Sequence, residues 1–323
     1  MPVAAYAVAS DTGKRRRRNE DAYVVAPPLF AVADGMGGAQ AGEVASRLAA
    51  ATLETGGASA DGGVDRIAAL IHEANRRVYE RSTSDPAASG MGTTMTVALV
   101  EGMTVVFGHV GDSRAYLVRG GRMEQLTDDH SLVNELLKSG KLSPAEAHAH
   151  PQRSVITRAV GTDPEVDVDA FTIDAEDGDV YLLCSDGLTD MVEDERILEL
   201  VDKHRDDLQR AVKELVAAAN RGGGEDNITA VAFRVGPGGD GAETMELPAL
   251  EPLEDTRESV GPDLAADTMV IPAAAIETEL ATRSEPAPSG REPRDTTGRV
   301  RLALTLVVLV AVAVVLLVWG LSR

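Results

Sequence analysis

The sequence predicts an α+β fold in which antiparallel sheets are covered by helices. Strand-like apolar runs come in clusters, helix-patterned segments come in pairs between them, and the βαβ alternation of a parallel doubly wound sheet is missing. An apolar content of 44% over 323 residues supplies a substantial core. Aromatic residues make up only 3%, so Val, Ala, Leu and Ile must do most of the packing.

In chain order, β-prone runs bounded by turn residues predict strands at Ala4–Ser10, Ala22–Val25, Leu29–Ala33, Thr94–Val100, Thr104–Val110, Ala115–Arg119, Val166–Thr172, Asp179–Cys184 and Ile228–Arg234. Helical spacing predicts Ala41–Leu53, Val64–Arg81, Ser131–Lys138 and Leu208–Arg221, with a shorter helix after Glu193. In the second of these, Ile67, Leu70, Ile71, Ala74 and Val78 fall on one face. Residues 1–235 carry this patterning. Residues 236–298 open with Gly-Pro-Gly-Gly, are rich in Pro, Gly, Ala and Glu, and read as a disordered linker.

The last region, 299–323, contains an uncharged run from Leu302 to Leu321. At about 1.5 Å per residue it would extend roughly 30 Å, the depth of a bilayer core, so it reads as one transmembrane helix. Arg291, Arg294, Arg299 and Arg301 precede it and place its N-terminal side in the cytoplasm. Trp319 suits the outer interface. A single-pass protein at the cell membrane, with residues 1–235 cytoplasmic, is the expectation. Met1–Ser10 lacks a basic leader and does not read as a signal peptide.

A net charge of −21 argues against nucleic acid as a main partner. Cys184 is the only cysteine and lies in an apolar run, so it reads as a buried structural thiol. A cysteine phosphatase would need an arginine six positions after Cys184, where Asp190 stands. Gly-x-Ser-x-Gly and the Gly-rich Lys-Ser/Thr phosphate loop are both absent. One cysteine and six scattered histidines do not suit zinc.

Acidic residues at strand ends and turns offer something else. Asp34-Gly35 ends an apolar run, Asp112 follows Val110-Gly111, Asp186-Gly187 follows Leu182–Ser185, and Asp226 follows a glycine run. Such carboxylates suit Mg2+ or Mn2+ and phosphate chemistry. Two ions about 4 Å apart could share Asp34 and a water, with the Gly35 carbonyl free to ligate and Asp186 and Asp226 completing one shell. The cationic run Lys14–Arg18 reads mostly as a solvated loop, with one arginine suited to gripping a phosphate dianion.

At these residues the chain resembles the metal-dependent serine/threonine protein phosphatases of the PPM (PP2C) family, in its bacterial form. The matching pieces are Arg16-x-x-Asn19-Glu20-Asp21, Ala33-Asp34-Gly35-Met36-Gly37-Gly38, Gly92-Thr93-Thr94, Gly108–Arg114, Cys184–Leu188 and Asp226–Thr229. The resemblance covers roughly residues 5–235 and implies an αββα sandwich with the metals at one edge of two sheets. It implies that Asp34 bridges two ions and the Gly35 carbonyl binds one, while Asp186 and Asp226 bind the other. Glu20 and Asp21 would hold ligating waters, and Arg16 the substrate phosphate. A third ion, as in bacterial relatives, would use Asp112, Asp186 and Ser154, beside a flap spanning Leu136 to Val160.

The implied reaction is hydrolysis of phosphoserine and phosphothreonine on proteins by a metal-bridged hydroxide, opposing Ser/Thr kinases. Met36 stands where animal relatives carry a histidine proposed as general acid, so that role is unassigned, with His150 a weaker candidate than a structural histidine. A membrane-anchored pseudophosphatase or phosphoprotein-binding scaffold is the alternative, disfavoured because the principal metal positions are all acidic. Finally, Glu243–Ala249 and Asp267–Ala273 share an acidic-Thr-Met-x-aliphatic-Pro-Ala pattern. Thr244 and Thr268 could be kinase sites read by a phosphothreonine-binding domain, or the similarity could be chance in a biased linker.

Overall fold

The computed structural model describes residues 3–37, 41–55, 62–148, 150–237 and 269–270. The chain divides into two compact units, residues 1–276 and 277–323, and the described residues all belong to the first. The expected linker lies almost wholly outside the described residues, as do Gly38, Thr244, Thr268 and the entire 302–321 span. Among the described residues, no helix is long and apolar enough to cross a membrane.

The elements are β1 (Val3–Asp11), β2 (Asp21–Ala26), β3 (Leu29–Met36), α1 (Ala41–Thr55), α2 (Val64–Ser84), β4 (Gly92–Thr93), β5 (Met95–Glu101), β6 (Thr104–Val110), β7 (Arg114–Arg119), β8 (Arg122–Gln125), α3 (Leu132–Lys138), α4 (Pro144–His148), β9 (Val155–Ile156), β10 (Asp169–Asp174), β11 (Val180–Cys184), α5 (Asp186–Thr189), α6 (Asp194–Lys203), α7 (Leu208–Gly222), β12 (Ile228–Val235) and β13 (Met269–Val270). One antiparallel sheet runs β1-β12-β11-β7-β8. The other runs β10-β6-β5-β3-β2, with β4 paired to the end of β3.

Period-two alternation decides which layer each side chain enters. On β12, Val231, Phe233 and Val235 point between the sheets, while Ile228, Ala230 and Ala232 face α5, α6 and α7. On β3, Phe30 and Val32 point between the sheets and Ala31 faces α1 and α2. Both faces of each sheet are thus buried, giving four layers with helices outside. Phe30 stacks on Phe233 with ring centroids 4.3 Å apart, and Tyr181 stacks on Phe233 at 5.1 Å, so a few aromatics join the sheets. The helical face read from Ile67, Leu70, Ile71, Ala74 and Val78 is the buried face of α2.

The antiparallel arrangement gathers strand ends at one rim. The ends of β3, β6 and β11 lie there with the starts of β2 and β12, each bearing or adjoining an aspartate. Buried Cys184, its thiol pushed up to about 12 by desolvation, ends β11 as the structural residue expected.

Candidate active site

Asp34 lies two residues before the end of β3, directly across from Asp21 on β2. Thr94 fixes this strand end. Its hydroxyl meets the Asp34 amide at 2.9 Å and Ser113 Oγ at 2.8 Å, and its amide donates to the Asp34 carbonyl at 2.8 Å. Thr94 thereby ties β3 to the turn that carries Asp112.

Gly35 must be glycine for steric reasons. A Cβ there would stand 2.1 Å from the Gly42 carbonyl oxygen and 2.7 Å from that of Glu20. Gly187 is equally confined, since its Cβ would stand 2.1 Å from the Asn227 carbonyl oxygen. These close approaches bring α1 and the Glu20 loop against Asp34, and α5 against Asp226.

The carboxylates repel one another. Burial, then the charges of Asp21, Asp186, Asp226 and Asp112, hold the Asp34 carboxyl well above the usual range. Asp186 is raised well above its usual value by burial and then by Asp112, Asp226, Asp190 and Asp21. Asp112 is pushed up to about 7, by burial first and then Asp129 and Asp190. Asp21 rises to about 6, chiefly by burial, although the Ser185 hydroxyl donates to its Oδ2 at 2.8 Å.

A cluster of this kind is costly without positive charge. Part is supplied by Arg16, whose Nη2 donates to Asp226 Oδ2 at 2.8 Å. Burial opposes the Arg16 charge, but Asp226, Glu20 and Asp34 more than compensate and keep the guanidinium protonated. Its neighbours Lys14, Arg15, Arg17 and Arg18 are exposed, as expected of a solvated loop.

The residues fit hard divalent cations. Asp186 Oδ1 is buried with no hydrogen-bond partner, an expensive state unless a ligand accepts its lone pairs. Among the described residues, no three Cys, His, Asp or Glu side chains close on a point tightly enough to hold an ion alone. An ion here would complete its shell with a backbone carbonyl such as that of Gly35 and with water, as Mg2+ and Mn2+ do.

Asp112, Asp186 and Ser154 line one cavity of about 400 Å3, with Asp129, Asp190, Arg114 and Arg153 among the other lining residues. Arg114 is locked on Asp129 through a contact of 2.7 Å. Arg153 approaches Asp190 at 3.8 Å. Met36 is buried against Ile156 and Ala159, so it packs the base of the flap. His150 Nδ1 accepts the Gln152 amide at 3.2 Å, a local turn contact that gives it a structural place.

The structure therefore brings Arg16, Glu20, Asp21, Asp34, Gly35, Asp112, Asp186 and Asp226 to one rim, with Ser154 on the wall of the adjoining cavity. Thr94, Ser185, Asn227 and Asp190 were given no role from the sequence. Thr94, Ser185 and Asn227 stand inside the motifs that carry the family resemblance, which was their signal, whereas Asp190 follows the four-residue α5 and had none.

Stacked antiparallel sheets with buried carboxylates and one arginine at their rim define a hard-cation site suited to phosphate esters. The chain belongs to the protein phosphatase 2C family, whose model matches residues 14–226. It is 42% identical over 235 residues to the serine/threonine protein phosphatase PstP of Mycobacterium tuberculosis, covering 72% of this chain. The match takes in 45% of that relative, so the chain spans about half its length. It is 39% identical to the serine/threonine phosphatase stp of Listeria innocua, over 68% of this chain and 91% of that one. A crystal structure of the PstP catalytic domain in complex with two manganese ions superposes with a TM-score of 0.67 at 39% identity, covering 73% of this chain and all of that one.

Proposed function

We propose that the chain hydrolyses phosphoserine and phosphothreonine on proteins with two Mn2+ or Mg2+ ions, and with a third beside Asp112, Asp186 and Ser154. The carrying observation is the buried cluster of Asp34, Asp186, Asp226 and Asp112, in which Asp186 Oδ1 is unpartnered. Asp34, the Gly35 carbonyl, Asp186 and Asp226 would hold two ions, with Glu20 and Asp21 orienting water around them. Bound there, the ions would supply Lewis acidity and acidify a water held between them.

The protein's own groups do the rest. Arg16 is placed to exchange its partner Asp226 for the phosphate dianion of the substrate, and its fork would offset charge that grows during transfer. Ser185 and Thr94 hold Asp21 and Asp34 in place through bonds of 2.8 and 2.9 Å. Met36 cannot move a proton, so the alkoxide leaving group would take its proton from water or from another group, and no residue is assigned that role.

Residues 1–235 would be the catalytic domain, 236–298 a tether and 302–321 a membrane span, putting the site on the cytoplasmic side near membrane-bound Ser/Thr kinases and their substrates. A tether of about 60 residues reaches on the order of 40–45 Å if it behaves as a flexible chain, which supplies proximity without recognition. Thr244 and Thr268 would be the linker sites open to phosphorylation. Fractionation of cells expressing the full chain and a chain ending at residue 298 tests the span.

Asp34→Asn tests the chemistry. Mn2+-dependent hydrolysis of a phosphothreonine peptide should fall to background while far-ultraviolet circular dichroism is unchanged. Near-normal turnover in this variant would overturn the assignment.

A further inference from the structure

Strand β9 is two residues long, yet it anchors one end of the flap. It directly follows Ser154 in the chain. Ile156 forms an antiparallel bridge with Ser131, and the Thr157 amide donates to the His130 carbonyl at 2.8 Å. The Ile156 side chain is buried on Met36 and Ala159. One edge of β9 is thus committed to the domain.

Its other pairing comes from far along the chain. Met269 and Val270 form β13, parallel to β9, with Met269 opposite Val155 and Val270 opposite Ile156. Roughly 30 residues separate β12 from β13, enough to reach about 100 Å when extended, so chain length does not force this pairing.

An independent feature of the sequence marks the same place. Met269 and Val270 lie inside Asp267–Ala273, one of two copies of the acidic-Thr-Met-x-aliphatic-Pro-Ala pattern. The copies differ in strand character. Met269-Val270-Ile271 carries two β-branched residues, whereas Met245-Glu246-Leu247 carries none and includes a charge. Pro272 lacks an amide hydrogen and limits how far a strand there can extend. Short pairing is what this segment can give, and short pairing suits a contact that must release.

We infer that β13, Met269–Val270, is an intramolecular docking strand: it adds to the edge of β9, holds the flap beside the carboxylate site, and competes with phosphoprotein substrates for that place. Main-chain pairing supplies the attachment, and the β-branched sequence of this copy favours a strand more than that of the other. The regulatory half of the inference rests on the phosphatase reading, whereas the docking itself does not.

The test uses the full chain. A Met269→Pro/Val270→Pro variant removes both amide hydrogens of β13, and Met245→Pro/Glu246→Pro is the control in the other copy. Hydrogen exchange of a peptide spanning residues 153–158 should quicken several-fold in the first variant and stay unchanged in the control. The KM for a phosphothreonine protein should fall several-fold with kcat unchanged, and hydrolysis of p-nitrophenyl phosphate should be unaffected. Equal exchange in wild type and the 269/270 variant would overturn the docking. Faster exchange with an unaltered KM would overturn the competition. Loss of turnover in every form would refute the phosphatase reading, while exchange would still decide the docking.

Discussion

Asn227 holds the Glu20 backbone in place: its Oδ1 accepts the Glu20 amide at 2.7 Å, while its Nδ2 donates to the Arg18 carbonyl at 2.8 Å and the Thr12 carbonyl at 2.9 Å. One buried amide therefore joins the residue after Asp226 to the whole loop that carries Arg16, Glu20 and Asp21. Asn227→Ala should leave three backbone groups short of a partner. The expected cost is about 1–3 kcal/mol, seen as a Tm lower by about 3–10 °C. Because the loop also aims Arg16, kcat/KM should fall at least tenfold (roughly 1.4 kcal/mol) even below the melting range. Unchanged kcat/KM would mean that Arg16 needs no such support.

Gly35→Ala puts a methyl group where the Gly42 carbonyl stands, 2.1 Å from the new Cβ. Backbone atoms cannot yield as a flexible side chain can, so α1 must move off β3. We expect Mn2+-dependent activity to be lost and the melting temperature to fall. Gly63→Ala is the comparison: that residue has open space around it but a φ of +76°, so only backbone strain should register there. Near-normal activity in Gly35→Ala would show that α1 can shift without cost.

The chelator-treated protein should lose stability as pH rises from 6.5 to 8. Asp112 titrates at about 7 when folded, and Asp34 and Asp186 are held well above their ordinary range. The folded state therefore binds more protons than the unfolded one, and that advantage is lost as pH climbs through the folded values. Buried His109, depressed to about 3, and His130, also lowered, act oppositely, but only below the unfolded histidine value of about 6.5. Adding Mn2+ should flatten or reverse the trend, because the ion binds deprotonated carboxylates. A chelated Tm that climbs between pH 6.5 and 8 would contradict the electrostatics described above.

At the opposite end of β7 and β11, Arg119 forks onto Asp179, with Nε at 2.7 Å from Oδ1 and Nη2 at 2.5 Å from Oδ2. Asp179 is 2% exposed, so Arg119→Ala would leave its buried carboxylate without a counter-ion, held only by the Glu176 amide at 2.7 Å and the Tyr181 hydroxyl at 3.4 Å. Breaking a fully buried pair costs about 3–5 kcal/mol, and with Arg119 itself 34% exposed the loss here should fall below that range. Denaturant unfolding should register that loss while kcat stays near wild type, since the carboxylate rim is at the other end of these strands. A large fall in kcat at a temperature where the variant is folded would show that the two ends are coupled.

Much of this molecule was legible because its strands are apolar enough to announce themselves. Thr104–Val110 is found as expected, and the other eight predicted strands differ only at their ends or, for Val166–Thr172, by a shift to Asp169–Asp174. That shift has a local cause: β10 is an edge strand with no fully buried position, so its apolar pattern is weak. The two-residue strands β4 and β9 and the polar β8 left no periodicity to read. Helix α5 is four residues long and begins at Asp186, which reads equally well as a turn.

In the site, the carboxylates stood out because each follows an apolar or glycine-rich approach. The residues that hold them did not. Thr94, Ser185 and Asn227 act through bonds to positions 60, 164 and 207 residues away, and no local pattern encodes such partners.

The distribution of aromatic residues has a practical consequence. All five tyrosines precede residue 182, and Tyr116 and Tyr181 are fully buried, Tyr181 within the stack between the sheets. The only tryptophan is Trp319. Excitation at 295 nm would therefore address Trp319 alone, whereas the near-ultraviolet dichroism of the chain carries its five tyrosines together with that one indole. The native chain therefore offers, without a label, one emission that belongs to position 319 and to no residue of the folded domain.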